Sequence, residues 1–332
     1  MTKTISIGEK DTLSNKIDGL ALRPTKHTSK RVRDYIFIIV MLGYPILQFL
    51  ITWIFVNFNS LMHAFQIGKV DGTYEWAWFF QFEKFFDNLF NASNSTGVPF
   101  LNDTSVILFN SLGFAVITIF ISLPLSLLFS YFLQKKMPFA NVFRAIFFLP
   151  NIIPVVALTF SFLIGFDSTT GYLYDFMIWL GFSESFMSSY PTSQIMVYIY
   201  CIWAGLGYNI ILISGAIGRI PKELFESAEL DHAGYFKEFV HIVIPCVWPT
   251  IVTLIILGMT NVLTLYLQPL LLTNGTGSTY TLSLEIFFAA ESGQPSQYCS
   301  AAAIGLLCSA LWAPIILVVR HLLSKKYAEV DY

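Results

Sequence analysis

The sequence predicts an all-α, polytopic membrane protein with about six transmembrane helices and a cytoplasmic hairpin between two of them. Three observations predict it. Of the 332 residues, 55% are hydrophobic and only 12% charged, where a soluble domain carries roughly 25%. Several apolar runs exceed the roughly 20 residues that a helix needs to cross a bilayer. All of the 19 Lys and Arg except Lys69 and Lys84 lie before the first run or in alternate connections and the span ends beside them.

Residues 1–33 are polar and basic and end in Lys30, Arg31 and Arg33. A cleavable signal sets its apolar core near the start, so this segment reads as a cytoplasmic tail whose basic end meets anionic headgroups. Spans are expected at 35–58, 106–133, 143–166, 193–217, 242–267 and 298–323. Pro45, Pro124, Pro154, Pro249 and Pro314 each remove a backbone hydrogen bond, and kinks rather than extra loops are expected there. Residues 34–105 hold the first span and a long external segment, whose aromatic stretch 74–90 reads either as an interfacial helix or as a folded loop with its own small core. Residues 106–326 form the core and 327–332 a short cytoplasmic tail. The opposite connections, 167–190 and 273–296, contain acids but no Lys or Arg, so both termini are expected on the cytoplasmic side of a plasma membrane.

Composition and motifs exclude several classes. No Asp, Glu, Lys or Arg falls near the centre of a predicted span, whereas ion-coupled carriers use such groups. A secondary carrier without an ATPase is therefore the alternative rather than the first reading. The chain lacks a G-x-x-x-x-G-K-[ST] phosphate loop, its Gly68-Lys69 pair being followed by Val70, so ATP hydrolysis requires another chain. Cys201, Cys246, Cys299 and Cys308 have no metal-ligand spacing, and packing is their expected role. His241 and His321 are isolated. No catalytic residue, metal or cofactor of its own is expected, and no nucleic-acid partner.

Between the fourth and fifth runs lies IPKELFESAELDHAGYFKEFVHIVIPCVWP, residues 220–249. Lys222, Glu226 and Glu229 recur at helical spacing against an apolar side of Leu224, Phe225 and Ala228. The pattern breaks at His232-Ala233-Gly234 and resumes with Tyr235, Phe236 and Phe239. A helix, a tight turn and a second helix follow, over 220–244.

This segment resembles the EAA loop of the binding-protein-dependent ABC importers, whose pattern is approximately IP-x-x-x-x-EAA-x-x-DGA followed by I-x-x-P-x-x-x-P. Ile220, Pro221, Glu226, Ala228, Asp231, Ala233, Phe239 in the aromatic-rich helix between, Ile242, Pro245 and Pro249 hold the matching positions. FRAIFFLPNIIP at 143–154, the residues Trp203, Gly205 and Gly207, and FEKFFDNL at 82–89 extend the likeness to the maltose and glycerol-phosphate permease group. The resemblance implies a type I ABC importer permease of sugar-transporting kind. It would pair with a second permease, an ATPase dimer that binds ATP and Mg, and an external solute-binding protein. Glu226 would pair with a donor in the ATPase cleft, Asp231 would stabilise the turn, and Tyr235, Phe236 and Phe239 would give apolar docking surface. Ser227 replaces the pattern's first alanine. His232 replaces its glycine, where a left-handed residue costs most side chains roughly 1–2 kcal/mol, and Gly234 is expected to take over part of the turn.

Candidate pathway groups are neutral. Asn261, Thr264 and Gln268 fall at i, i+3 and i+7 with Thr260 nearby, and Tyr208 and Asn209 add groups from the preceding span. Uncharged donors and acceptors beside aromatic rings suit a sugar. The same residues also serve to bond helix to helix.

Overall fold

The computed structural model describes residues 26–91, 103–135, 137–182 and 185–325, with side chains from Arg33 onward. Most of the expected N-terminal tail and all of 327–332 lie outside the described residues. The chain forms two units, Met1–Ser60 and Leu61–Tyr332. Helix α1, Lys26–Phe49, continues through a π turn at Leu50–Ile54 into α2, Phe55–His63. Its apolar side chains are exposed. Thr52 Oγ1 and Asn57 Nδ2 donate at 2.7 Å to the carbonyls of Gln48 and Trp53, which satisfies both groups inside the helix as lipid requires.

The second unit opens with an antiparallel hairpin of β1, Gln66–Gly68, and β2, Tyr74–Trp76, in the register Gln66 opposite Trp76. Helix α3 follows at Phe80–Asn91. The helix read over 74–90 therefore starts later. Trp78 has φ 51°, which a right-handed helix cannot contain, and Tyr74–Trp76 is held by β1. A Cβ at Gly68 would lie 2.2 Å from the Pro295 carbonyl carbon, so glycine lets this strand rest on the first turn of the last helix.

The second span is one rod, Asp103–Gln134: α4, Asp103–Ile117, a π turn at Thr118–Ser122, and α5, Leu123–Gln134. Pro124 lies inside this rod just after the π turn, where the altered bonding accommodates its missing N–H. The third expected span is broken. Helix α6, Ala140–Ile152, and α7, Val155–Gly165, meet at 106°. Proline disfavours a helical residue before it; Ile153 is extended at ψ 134° and Pro154 at ψ 135°. A break, not a kink, is the result. After α8, Tyr174–Trp179, helix α9 at Thr192–Ile217 is unbroken and packs on both α5 and α6. A Cβ at Gly207 would meet the Phe147 carbonyl oxygen at 2.0 Å; a small residue here allows the close helix approach used within membranes.

The fifth expected span is also bent. Tyr235–Cys246 and α13, Trp248–Thr264, meet at 74° where Val247 leaves helical geometry at ψ 7°. Pro249, in the first turn of α13, supports this restart. Two further helices occupy ground expected to be span end or loop: α14, Leu267–Thr273, and α15, Leu282–Glu291. The connection between them is stapled to the bundle. Asn110 Nδ2 donates to the carbonyls of Ser278 and Tyr280 at 2.6 and 2.9 Å, and Ser193 Oγ to that of Gly277 at 2.9 Å. Helix α16, Pro295–Ser324, is the last span and contains Pro314. Among the described residues four helices are long and apolar enough to cross a membrane, and six spans result when each bent pair counts as one.

Candidate coupling hairpin and polar cavity

The segment after α9 forms α10, Lys222–Leu230, then α11, Tyr235–Glu238, a π turn at Phe239–Val243, and α12, Ile244–Cys246. Its turn is built by the backbone. The Ala233 amide donates to the Ala228 carbonyl at 2.9 Å and the His232 amide to that of Glu229 at 3.1 Å. This is a Schellman closure, whose penultimate position favours left-handed glycine. His232 holds that position at φ 52°. Gly234 has φ −68° and ψ 160°, so it takes no share of the left-handed turn. The expected role of Asp231 in the turn also needs correction, since no side-chain hydrogen bond of Asp231 occurs among the described residues.

Ser227, Ala228, Asp231 and Ala233 line an open concavity of about 500 Å³ along the hairpin. Glu226 is exposed beyond it and has no hydrogen bond or ion pair among the described residues. Tyr235 and Phe236 are 68% and 79% exposed, and Leu230, which the charge pattern does not single out, 81%. Phe239 differs from the expected docking surface. It is buried, its ring 5.2 Å from Tyr131, in a core that joins α5, α9 and α13 through Leu127, Ile213 and Ile251.

A second concavity of about 590 Å³ lies deeper in the bundle. Its walls come from the π turn at Thr118–Ser122, the break between α6 and α7, α9, α13 and α14. Tyr208, Asn209, Asn261 and Gln268 all line it, with Thr260. Thr264 does not; it is exposed and its hydroxyl donates to the Thr260 carbonyl at 3.1 Å. The cause is the end of α13 at Thr264, where Leu265 is extended at ψ 100°. Gln268 reaches the cavity from α14 instead of continuing one helical face. The side chains of Tyr208, Asn209, Asn261 and Gln268 make no hydrogen bond to protein among the described residues, so they are not the glue between helices.

The sequence reading missed Thr118, Ser122, Asn151, Tyr200 and Cys201, which share the walls. A signal for Asn151 existed in its place three residues before Pro154. Tyr200 is fixed by a 2.8 Å bond between its hydroxyl and that of Thr159, and Asn151 Nδ2 donates to the Ala204 carbonyl at 3.2 Å. None of the lining residues is Asp, Glu, Lys or Arg. The cavity offers donors, acceptors and rings without a formal charge.

Spans broken at a polar cavity lined by no charged side chain and an exposed hairpin between two of them define the membrane component of a transporter. The family described as binding-protein-dependent transport system inner membrane component matches residues 122–328, and the chain belongs to it. The arabinooligosaccharides transport system permease protein AraP of Bacillus subtilis (strain 168) is 29% identical over 158 residues, 46% of this chain and 50% of that one. The probable ABC transporter permease protein YurN of the same organism is 30% identical over 173 residues, covering 50% and 59%. The matches thus span little more than half the length of these relatives. In structure, the chain is similar to one from a bacterial ABC transporter involved in the import of the acidic polysaccharide alginate. The TM-score is 0.74 at 20% identity, with 90% of this chain and 99% of that one covered. That likeness establishes the fold.

Proposed function

We propose that this chain is a permease subunit of an ATP-driven ABC importer and carries a sugar or oligosaccharide inward. The observation that carries the proposal is the hairpin, a Schellman-closed helix pair with an open Glu226 carboxylate and exposed Leu230, Tyr235 and Phe236. Such a surface on an otherwise apolar chain fits a soluble ATPase. Glu226 pairs with a donor in the ATPase cleft, and the exposed rings supply apolar contact. ATP and Mg are held by the ATPase dimer, a second related permease completes the pathway, and an external solute-binding protein delivers the substrate. The distribution of Lys and Arg supports a cytoplasmic side for both termini and the hairpin.

The substrate class rests on the cavity. Uncharged groups left without protein partners meet hydroxyls well and give an anion no counter-charge, so a neutral saccharide is favoured over an acidic one. AraP, by its name, serves arabinooligosaccharides. The test is purification of the tagged chain from solubilised native membranes, in wild type and Glu226→Lys. An ATPase and a second permease are expected with the wild type, and a weakened ATPase with the variant. An intact wild-type complex without an ATPase overturns the proposal in favour of a secondary carrier.

A further inference from the structure

Glu238 ends α11, and 7% of its side chain is exposed. Lys135, the residue after α5, sets its Nζ 2.7 Å from each carboxylate oxygen and donates to Oε2. The same ammonium stands 5.5 or 5.6 Å from the ring centres of Tyr131, Phe225 and Tyr235. One ring belongs to α5, one to α10 and one to α11. The Tyr131 hydroxyl also donates to the Tyr235 carbonyl at 3.2 Å. Both helices of the hairpin thus close around a cation that neither of them supplies.

A carboxylate taken out of water holds its counter-ion firmly, because separation strands a buried charge, and aromatic faces add attraction for the cation. Lys135 is therefore tied to the hairpin more tightly than an exposed lysine is. From Lys135, α5 runs back over 12 residues to Leu123, about 18 Å at 1.5 Å per residue. At its far end is the π turn whose Thr118 and Ser122 line the cavity. The covalent way from the hairpin to α13 instead crosses the 74° bend at Val247. We infer that the Lys135–Glu238 pair is the joint through which movement of the hairpin reaches the cavity wall, with α5 as the rod. The inference rests on the hairpin being the ATPase-docking element.

The test uses the native complex, purified through the tagged chain, and reads hydrogen exchange with and without MgATP plus orthovanadate. In the wild type, nucleotide is expected to alter exchange in both the hairpin, 222–238, and the segment 118–134. In Lys135→Met and Glu238→Gln, the hairpin keeps its response, the ATPase still co-purifies, and the response at 118–134 is lost. If Lys135→Met fails to reach the membrane, Glu238→Gln decides alone. A retained response at 118–134 in either variant overturns the joint and leaves the proposed function standing. Loss of the ATPase from the variant complexes also overturns it, since the pair is then a scaffold for docking. No nucleotide response in the wild-type hairpin, with the ATPase present, overturns the proposed function itself.

Discussion

The hairpin and the cavity are built in opposite ways. The turn of the hairpin lies in one contiguous segment, closed by hydrogen bonds between residues five or fewer apart, such as Ala233 to Ala228. The cavity has no local existence. Its walls are gathered from the π turn at Thr118–Ser122, two helix breaks and α9. A local turn tolerates change in the bundle, whereas an assembled cavity depends on every helix crossing that sets its walls. The difference teaches where each is vulnerable.

The largest expected effect follows from that dependence. Gly207→Leu drives a side chain into the Phe147 carbonyl, which a Cβ alone already meets at 2.0 Å. Overpacking costs about 1–3 kcal/mol or more, and the chain is expected to lose most of its accumulation in membranes, read by immunoblot against wild type. Normal accumulation and uptake would show that α9 and α6 are free to separate, and the comparison would fail.

A smaller effect sharpens it. Asn209→Leu and Asn261→Leu remove cavity groups that hold no protein partner. Uptake of a labelled neutral oligosaccharide that supports growth is expected to fall about two- to tenfold, from about 0.5–1.5 kcal/mol per hydrogen bond. The melting temperature of the purified complex should hold or rise. A drop in melting temperature with unchanged uptake would return these residues to the role of helix glue.

On the hairpin side, His232→Gly relieves a left-handed residue and should stabilise the turn by about 1 kcal/mol. Transport is expected to persist, with slower amide exchange at 228–233. Complete loss of transport would mean that the imidazole does something the turn geometry does not explain.

The smallest effect concerns the connection after α7. Asp167 accepts from the Thr169 hydroxyl at 2.6 Å and from the Thr169 and Thr170 amides at 2.9 and 3.0 Å, which lowers its pKa to about 2. A depressed carboxylate stabilises the fold above its ordinary pKa and loses that contribution as pH falls through the depressed value. The Asp167 contribution to this connection should therefore be complete at neutral pH and fall away as pH drops from the ordinary carboxylate range to about 2. Thr169→Ala raises that pKa, readable by titration of the Asp167 carboxyl resonance, without changing uptake at neutral pH.

The contrast also explains what the sequence made legible. Long apolar runs such as Thr192–Ile217 and Pro295–Ser324 set their own helices, because lipid leaves the backbone no other partner. The hairpin was legible down to its left-handed residue, since turn chemistry is local. Buried Phe239 was misjudged because aromatic residues look alike in sequence whether they face a partner or a core. The same limit applied to Thr264. Helical spacing presumes an unbroken helix, and the extended Leu265 that ends α13 has no proline or glycine to announce it. Tyr200 and Ser122 reach the cavity through packing over long sequence separation, which no spacing rule encodes.

The break at Ile153–Pro154 has one more consequence. It brings the carbonyl-bearing end of α6 and the amide-bearing start of α7 to the same wall, beside Asn151 and Val155. Helix ends carry opposite partial charges of roughly half an electron, so these two nearly cancel at a distance while each stays strong close by. A guest sensing that wall from afar meets little field, and one in contact meets acceptors and donors side by side. Such a wall suits the proposed neutral saccharide, whose hydroxyls each give and accept hydrogen bonds, better than it suits an ion.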